Sequence, residues 1–238
     1  MSLREIFIKN SITYKIYIYY NLYIRNKAYR KRKFYSQWGE DIFLQKHFEN
    51  KNIGFYVDIG CFHPIMYSNT CLLFHKGWSG INIDLNQTSI DLFKIVRPSD
   101  YNICAAISDK ISEQEIFFDH FFSPINTIQK SFYDKSDKNI SFKKLRKKKV
   151  ITKTFSKAIE NIYNLPNIDF LNIDCEGHDH EVLKSFNLKK FMPTIVCIET
   201  HDIDNKEVYN YKNIINLLNE CNYDLIKRCG PSSFFKIN

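Results

Sequence analysis

Five short apolar runs punctuate the chain, at 55–60, 79–84, 101–107, 168–174 and 194–200. Stretches with helical spacing separate them, at 68–76, 86–96, 155–164 and 178–186, and a further helix, 206–221, is predicted after the fifth run. Strands that are apolar throughout are buried on both faces, and helices between them supply the cover, so the pattern predicts a parallel sheet in an α/β domain. Two late runs, 223–229 and 233–237, flank Gly230-Pro231 and predict a terminal antiparallel hairpin on the sheet edge.

Residues 109–154 break this rhythm. They hold a strand candidate at 114–119, a loop around Ser123-Pro124-Ile125-Asn126-Thr127 and a basic stretch Lys143–Lys149, and they read as an insertion able to cover an active site. The basic stretch is expected to be a solvated face.

The N-terminal segment differs again. Six tyrosines, Tyr14, Tyr17, Tyr19, Tyr20, Tyr23 and Tyr29, interleave with Ile12, Ile16, Ile18, Leu22 and Ile24, which predicts a helical arm over 1–34 before a catalytic domain at 35–238. Residues 1–33 carry nine Lys or Arg and one acid, Glu5, so this segment alone is +8, while the other 25 basic and 25 acidic residues cancel. The whole net charge of +8 therefore belongs to the arm. A domain that grips nucleic acid would concentrate charge around its own cleft. The arm is expected either to pack on its own domain or to attach the protein to an anionic membrane surface or a partner enzyme.

Length and composition add bounds. At 238 residues, 44% hydrophobic and 25% charged, the chain suits one soluble domain with a substantial core. No stretch reaches 18 uninterrupted apolar residues, and the first residues lack a signal peptide's apolar core. Seven cysteines without a Cys-x-x-Cys pair fit a reducing cytoplasm, with attachment to the inner face of the membrane through the arm as an option.

The chemistry concentrates where strands end. Asp58 and Gly60 end the first run, with Cys61 and His63 in the turn; Asp84 ends the second, 26 residues after Asp58. Strand, glycine turn, helix and a second strand ending on a carboxylate is how a nucleotide-like ligand is held. No further glycine follows to seat a pyrophosphate, so the turn suits S-adenosylmethionine better than NAD. Asp174-Cys175-Glu176-Gly177-His178 ends the fourth run, and Glu199-Thr200-His201 the fifth. Acids and imidazoles packed at a dry strand end shift their pKa values and suit general-base work. Glu176 and Asp179 could instead cap the next helix. Asp174, Glu176, Glu199 and His201 would also suit a hard divalent metal, but no spacing fixes that geometry, and no metal is expected.

These blocks, in this order, resemble the FkbM-type S-adenosylmethionine-dependent methyltransferases from about Ser36 to Asp202. Ser36-Gln37-Trp38-Gly39-Glu40-Asp41 looks like the opening motif and Phe55 to Pro64 like the cofactor turn. Ser68-Asn69-Thr70, Gly77 to Asp84 and Arg97-Pro98 follow in place. Phe170 to Asp179 is similar to the Asp-x-Glu-Gly block. Two positions depart from many relatives: His63-Pro64 stands where a second glycine is common, and Asn172 where a lysine is common. The resemblance implies a Rossmann-like class I methyltransferase fold, a seven-stranded mostly parallel sheet with an antiparallel final hairpin. It also implies methyl transfer to a hydroxyl, commonly on a sugar or polyketide-like small molecule. Bacterial relatives often sit in surface-polysaccharide biosynthesis, so a sugar hydroxyl is the expected acceptor. Under it, Asp174 or His201 is expected as base, with Glu176 and His178 orienting the acceptor. Asp84 is expected at the ribose and Asp58, Gly60, Cys61 and His63 at the cofactor turn, with Gln37 and Asp41 carried over from the opening motif. Two alternatives stay open: a nucleic-acid methyltransferase, favoured by the basic arm, and a non-catalytic docking module of the same fold.

Overall fold

A computed structural model describes residues 12–118 and 146–238. Seven strands form one sheet in the order β3 (Tyr101–Cys104), β2 (Ser79–Asp84), β1 (Phe55–Ile59), β7 (Phe170–Ile173), β8 (Ile195–Glu199), β10 (Ser232–Ile237), β9 (Tyr223–Cys229). The first five run parallel, and β10 joins β8 and β9 antiparallel, so the expected terminal hairpin is present. The order reverses between β1 and β7, the switch point where open α/β sheets bind ligands.

Strand parity sorts the core. Phe55, Val57 and Ile59 of β1 face one layer with Leu171, Val196 and helices α6 (Asp179–Phe186) and α7 (Tyr211–Glu220). Tyr56 points the other way, into a layer with Phe170, Cys197, Phe234, Trp78 and Leu44 of α2 (Glu40–His47). All five β1 residues are buried, as a central strand covered on both faces requires.

Several predicted elements end differently, each for a tertiary reason. The run 101–107 splits: β3 is a half-exposed edge strand, and β4 (Ala106–Ile107) leaves it to pair with β6 (Arg146–Lys153). Within 109–154, β5 (Glu113–Phe118) pairs antiparallel with β6, so the described end of the basic stretch is strand, its Lys147 and Lys149 paired with Glu115 and Glu113. The loop Ser123–Thr127 lies outside the described residues. The helix predicted at 68–76 is α3 (Cys71–His75), because Ser68 and Thr70 bond to Arg97 instead. The helix at 155–164 is one turn, α5 (Phe155–Ala158), and the chain reaches Asn164 in a left-handed conformation (φ 56°). The helix at 206–221 begins only at Tyr211, because the preceding segment pairs back, Glu207 bridging His201 and Val208 donating to the Thr200 carbonyl.

The described part of the arm lies on the domain. Helix α1 (Ile12–Tyr20) runs into a π-helical turn (Asn21–Arg25), and Ile18 and Leu22 pack on Leu92 of α4 (Gln87–Val96). Tyr14 donates to Asp91 at 2.7 Å. No described helix is long and apolar enough to cross a membrane.

Candidate active site

Beyond the carboxyl ends of β1, β2 and β7 three turns close around a cleft lined by Gly60, Phe62, Asp84, Asp174, Glu176 and His178. Ile59, Ile83 and Ala105 to Ile107 form its apolar wall. Gly60 sits at φ 83°, and a Cβ there would lie 1.8 Å from the Asp174 carbonyl oxygen. Only glycine lets the β1 turn lean on the end of β7 in that conformation.

Asp84 ties the first two turns together. Its Oδ2 accepts from the Phe62 amide at 2.9 Å and its Oδ1 from the Asn86 amide at 2.7 Å, leaving further lone pairs on each oxygen for a ligand. The third turn carries Glu176 at φ 51° followed by Gly177 at φ 88°. A non-glycine residue in that region costs about 1–3 kcal/mol unless its surroundings hold it. Asp179 supplies the hold, accepting from the Cys175 and Gly177 amides at 2.8 and 3.0 Å, and Glu176 is thereby presented to the cleft. Neither Glu176 nor Asp179 caps α6, whose N-cap His178 has no side-chain cap bond; Asp179 reaches back to the turn instead. His178 faces the cleft with Nε2 3.0 Å from Ser108 Oγ, which fastens the β4 segment over the site.

The site gathers several buried acids. Burial, then the negative charge of Asp179, Asp58, Glu40 and Asp84, pushes Asp174 up to about 8. Burial drives Asp84 and Asp179 to about 6 and raises Glu176, Glu199 and Glu40. Among the described residues no Lys or Arg forms an ion pair with Asp84, Asp174, Asp179 or Glu199. Such a pocket favours a cation. Burial lowers the His178 pKa below the usual imidazole value, which favours the neutral ring. No group of three or more His, Cys, Asp or Glu among the described residues is placed to hold a metal ion.

The structure thus gathers Gly60, Asp84, Asp174, Glu176 and His178, and puts the other sequence candidates elsewhere. Asp58 has the parity of Tyr56, so it points away from the cleft, accepting from Thr70 Oγ1 at 2.7 Å and Asn172 Nδ2 at 2.9 Å. Cys61 packs on Ile90 and Phe93. His63 is fully buried; its Nδ1 accepts from the Ile65 and Met66 amides at 3.1 and 3.0 Å, and burial lowers its pKa to about 3. Asp41 clamps the turn before α2, accepting from Tyr35 and Ser36, and Gln37 is exposed on that turn. His201 turns to Thr200, 2.8 Å away, and to the Tyr211 ring.

Sequence reasoning did not single out Glu40 and Ser108, which touch or influence residues of the cleft. Glu40 is buried, accepts from Ser232 Oγ at 3.2 Å and adds its charge to Asp174 and Glu199. The signal for it was its place in the Ser36–Asp41 block. For Ser108 there was none, because only the departure of β4 from the sheet brings it to His178. Beside Glu40 a wider groove of about 420 Å³ opens between Trp38, Asp202, Arg228 and Gly230, with Trp38 half-exposed against Gly230.

Sheet order, glycine turn and acid-ended strands are consistent with a Rossmann-like methyltransferase fold. The sequence matches the Methyltransferase FkbM domain over residues 51–225, and the chain belongs to that family. No curated protein and no solved structure matches it.

Proposed function

We propose that the protein transfers a methyl group from S-adenosylmethionine to a hydroxyl of a sugar, on a nucleotide sugar or a surface-glycan precursor. The observation that carries this reading is the acidic cleft at the switch point of an FkbM-family domain. The residues fit the cofactor: its sulfonium and ammonium groups are cations, and Asp84 keeps free lone pairs for ribose hydroxyls. When bound, the sulfonium supplies an electrophilic methyl group, leaving the protein to align an acceptor hydroxyl and take its proton.

Asp174 is the base in this scheme, since it lines the cleft while His201 does not. Glu176 and His178 orient the acceptor. Ser108 and Asp179 position them, one through His178 and the other through the turn amides. The groove at Trp38 and Arg228 supports a sugar as acceptor, because an exposed indole face stacks on a pyranose and a guanidinium pairs with phosphate or carboxylate. The cleft itself is narrow, about 50 Å³, against roughly 300–1,000 Å³ for sites that enclose drug-sized ligands. On this reading cofactor binding requires a wall to move, and Phe62 and His178 are among the side chains that line it.

The pairing of Lys147 and Lys149 with glutamates weighs against a nucleic-acid substrate, since that ribbon offers less free positive charge. Calorimetry tests the cofactor. S-adenosylhomocysteine should bind and NAD should not, and Asp84→Ala should weaken binding by about 1.5–3 kcal/mol, the range for a hydrogen bond to a charged group. NAD binding with no response to S-adenosylhomocysteine would refute the assignment. Unchanged affinity in Asp84→Ala would remove that residue from the site.

A further inference from the structure

The arm has two faces, and the catalytic reading uses neither. Its inner face carries Tyr14, Ile18 and Leu22 on α4. The outer face carries Ile12, Ile16, Tyr19, Tyr20, Tyr23 and Ile24, which are 43–79% exposed. Their spacing of three to four residues, with adjacent pairs at 19/20 and 23/24, puts them on one side of a helix. Tyr19 and Tyr23 stack at 5.9 Å. Six large apolar or aromatic residues on one side of a short rod form an exposed patch, and such patches mark interaction sites.

The charge around the patch has one sign. Residues 12–33 contain seven Lys or Arg and no acid. Lys15, Arg25, Lys27, Lys31, Arg32 and Lys33 are exposed. From this we infer that the outer face of residues 12–33 docks on an anionic lipid bilayer, with the isoleucines and tyrosines in the headgroup boundary and the basic side chains among the headgroups. Tyrosine, with an apolar ring and a polar tip, suits that boundary, and long basic side chains extend toward phosphate. The rod from Ile12 to Arg25 is about 21 Å long and about 10 Å wide, so its outer face offers roughly 200 Å², against about 800 Å² per partner in a stable protein complex. A bilayer needs no such area or shape match, because charge and insertion act together.

The inner face, opposite the docked one, lies beside the cleft. Phe62, which lines the cleft, packs into the same cluster as Ile18 and Leu22, and Asn26 lies 3.3 Å from His63 in the β1 turn. Membrane attachment through the outer face would hold the cofactor turn one helix diameter, about 10 Å, from the lipid surface.

Co-sedimentation of the full chain with vesicles tests the inference. Phosphatidylcholine–phosphatidylserine vesicles should pellet the protein and pure phosphatidylcholine vesicles should not. Binding should fall with salt, since exposed charges are screened beyond about 8–10 Å. The double variant Ile16→Asp/Tyr20→Asp should bind the anionic vesicles at least tenfold more weakly. Its affinity for S-adenosylhomocysteine should stay unchanged, which separates lost docking from lost folding. Lys31→Gln/Arg32→Gln/Lys33→Gln should weaken binding by up to about fivefold per charge. Absence of wild-type binding to anionic vesicles would overturn the inference, as would undiminished binding by the double variant. A wild-type dimer in sedimentation velocity that the double variant dissolves would assign the face to a second copy of this chain and overturn it equally. None of these results depends on the methyl acceptor, so the inference and the proposed activity fail separately.

Discussion

Asp174→Asn should cut turnover by about 10²–10⁴-fold, the loss expected when a general base is removed, and should at the same time make the ligand-free protein more stable at pH 8. The two effects share a cause. Burial and four neighbouring carboxylates push Asp174 up to about 8, and Asp84 and Asp179 reach about 6. The unfolded chain ionises these groups near the ordinary carboxylate value, so between about pH 4 and pH 8 the folded state holds more protons. Their stabilising contribution is complete below about pH 4 and is lost as pH rises through 6 and then 8. An asparagine cannot ionise, so the fall for Asp174→Asn should be shallower. A gain of about 1 kcal/mol at pH 8 would raise Tm by roughly 2–4 °C in a chain of this size. Thermal denaturation of the ligand-free proteins from pH 5 to 8.5 measures it. Identical slopes for wild type and variant would show that the carboxylates are not buried together. In wild type, kcat/KM should climb with pH until about 8, because it reports the free enzyme's base. A profile flat from pH 6 to 8.5, or an active Asp174→Asn beside an inactive His201→Ala, would move the base to His201.

Arg97→Met should be among the most destabilising single substitutions on the described surface or core, costing about 3–5 kcal/mol. Arg97 is fully buried. Its Nη1 donates to Thr70 Oγ1 at 2.8 Å and its Nη2 to the Pro64 carbonyl at 2.5 Å and Ser68 Oγ at 3.0 Å. The carboxylates of Asp58 and Asp100 are near it. Methionine fills the volume but leaves Asp58 without its cation and the 64–70 loop without its tether. Lysine keeps the charge yet lacks the fork needed for four partners, the Tyr56 hydroxyl at 3.3 Å being the fourth, so Arg97→Lys should also destabilise, by less. Urea denaturation measures both. A loss under about 1 kcal/mol for Arg97→Met would mean that Asp58 is compensated elsewhere. The same network accounts for Asp58 as an internal anchor joining β1 to the α3 loop: Thr70 bonds at once to Asp58 and Arg97.

The sequence by itself determined the layered α/β design, because runs apolar on every residue need cover on both faces and only helices between them supply it. It also determined the acid-ended turns at Asp84 and Asp174–Gly177, since a short dry strand must stop before a charged residue can reach water. A glycine at 60 marked a close approach without naming the partner. Tertiary structure alone decided that this partner is the Asp174 carbonyl, 1.8 Å from where a Cβ would stand. It also decided which polar residues near the strand ends face the cleft. Asp58 is one residue from the strand end and has the wrong parity; His63 and Asp41 are spent on local amides; His201 pairs with Thr200. Sequence spacing cannot separate these from Asp84 and Asp174, because a strand fixes the side to which a residue points only once its neighbours are known. Glu40 and Ser108 reach the site from 134 and 66 residues before Asp174, through the Ser232 bond and the turn-off of β4. Contacts made across such distances carry no local pattern. The arm shows the same division: its tyrosines and basic residues were plain in the sequence, but which of them point outward depended on where α4 lies.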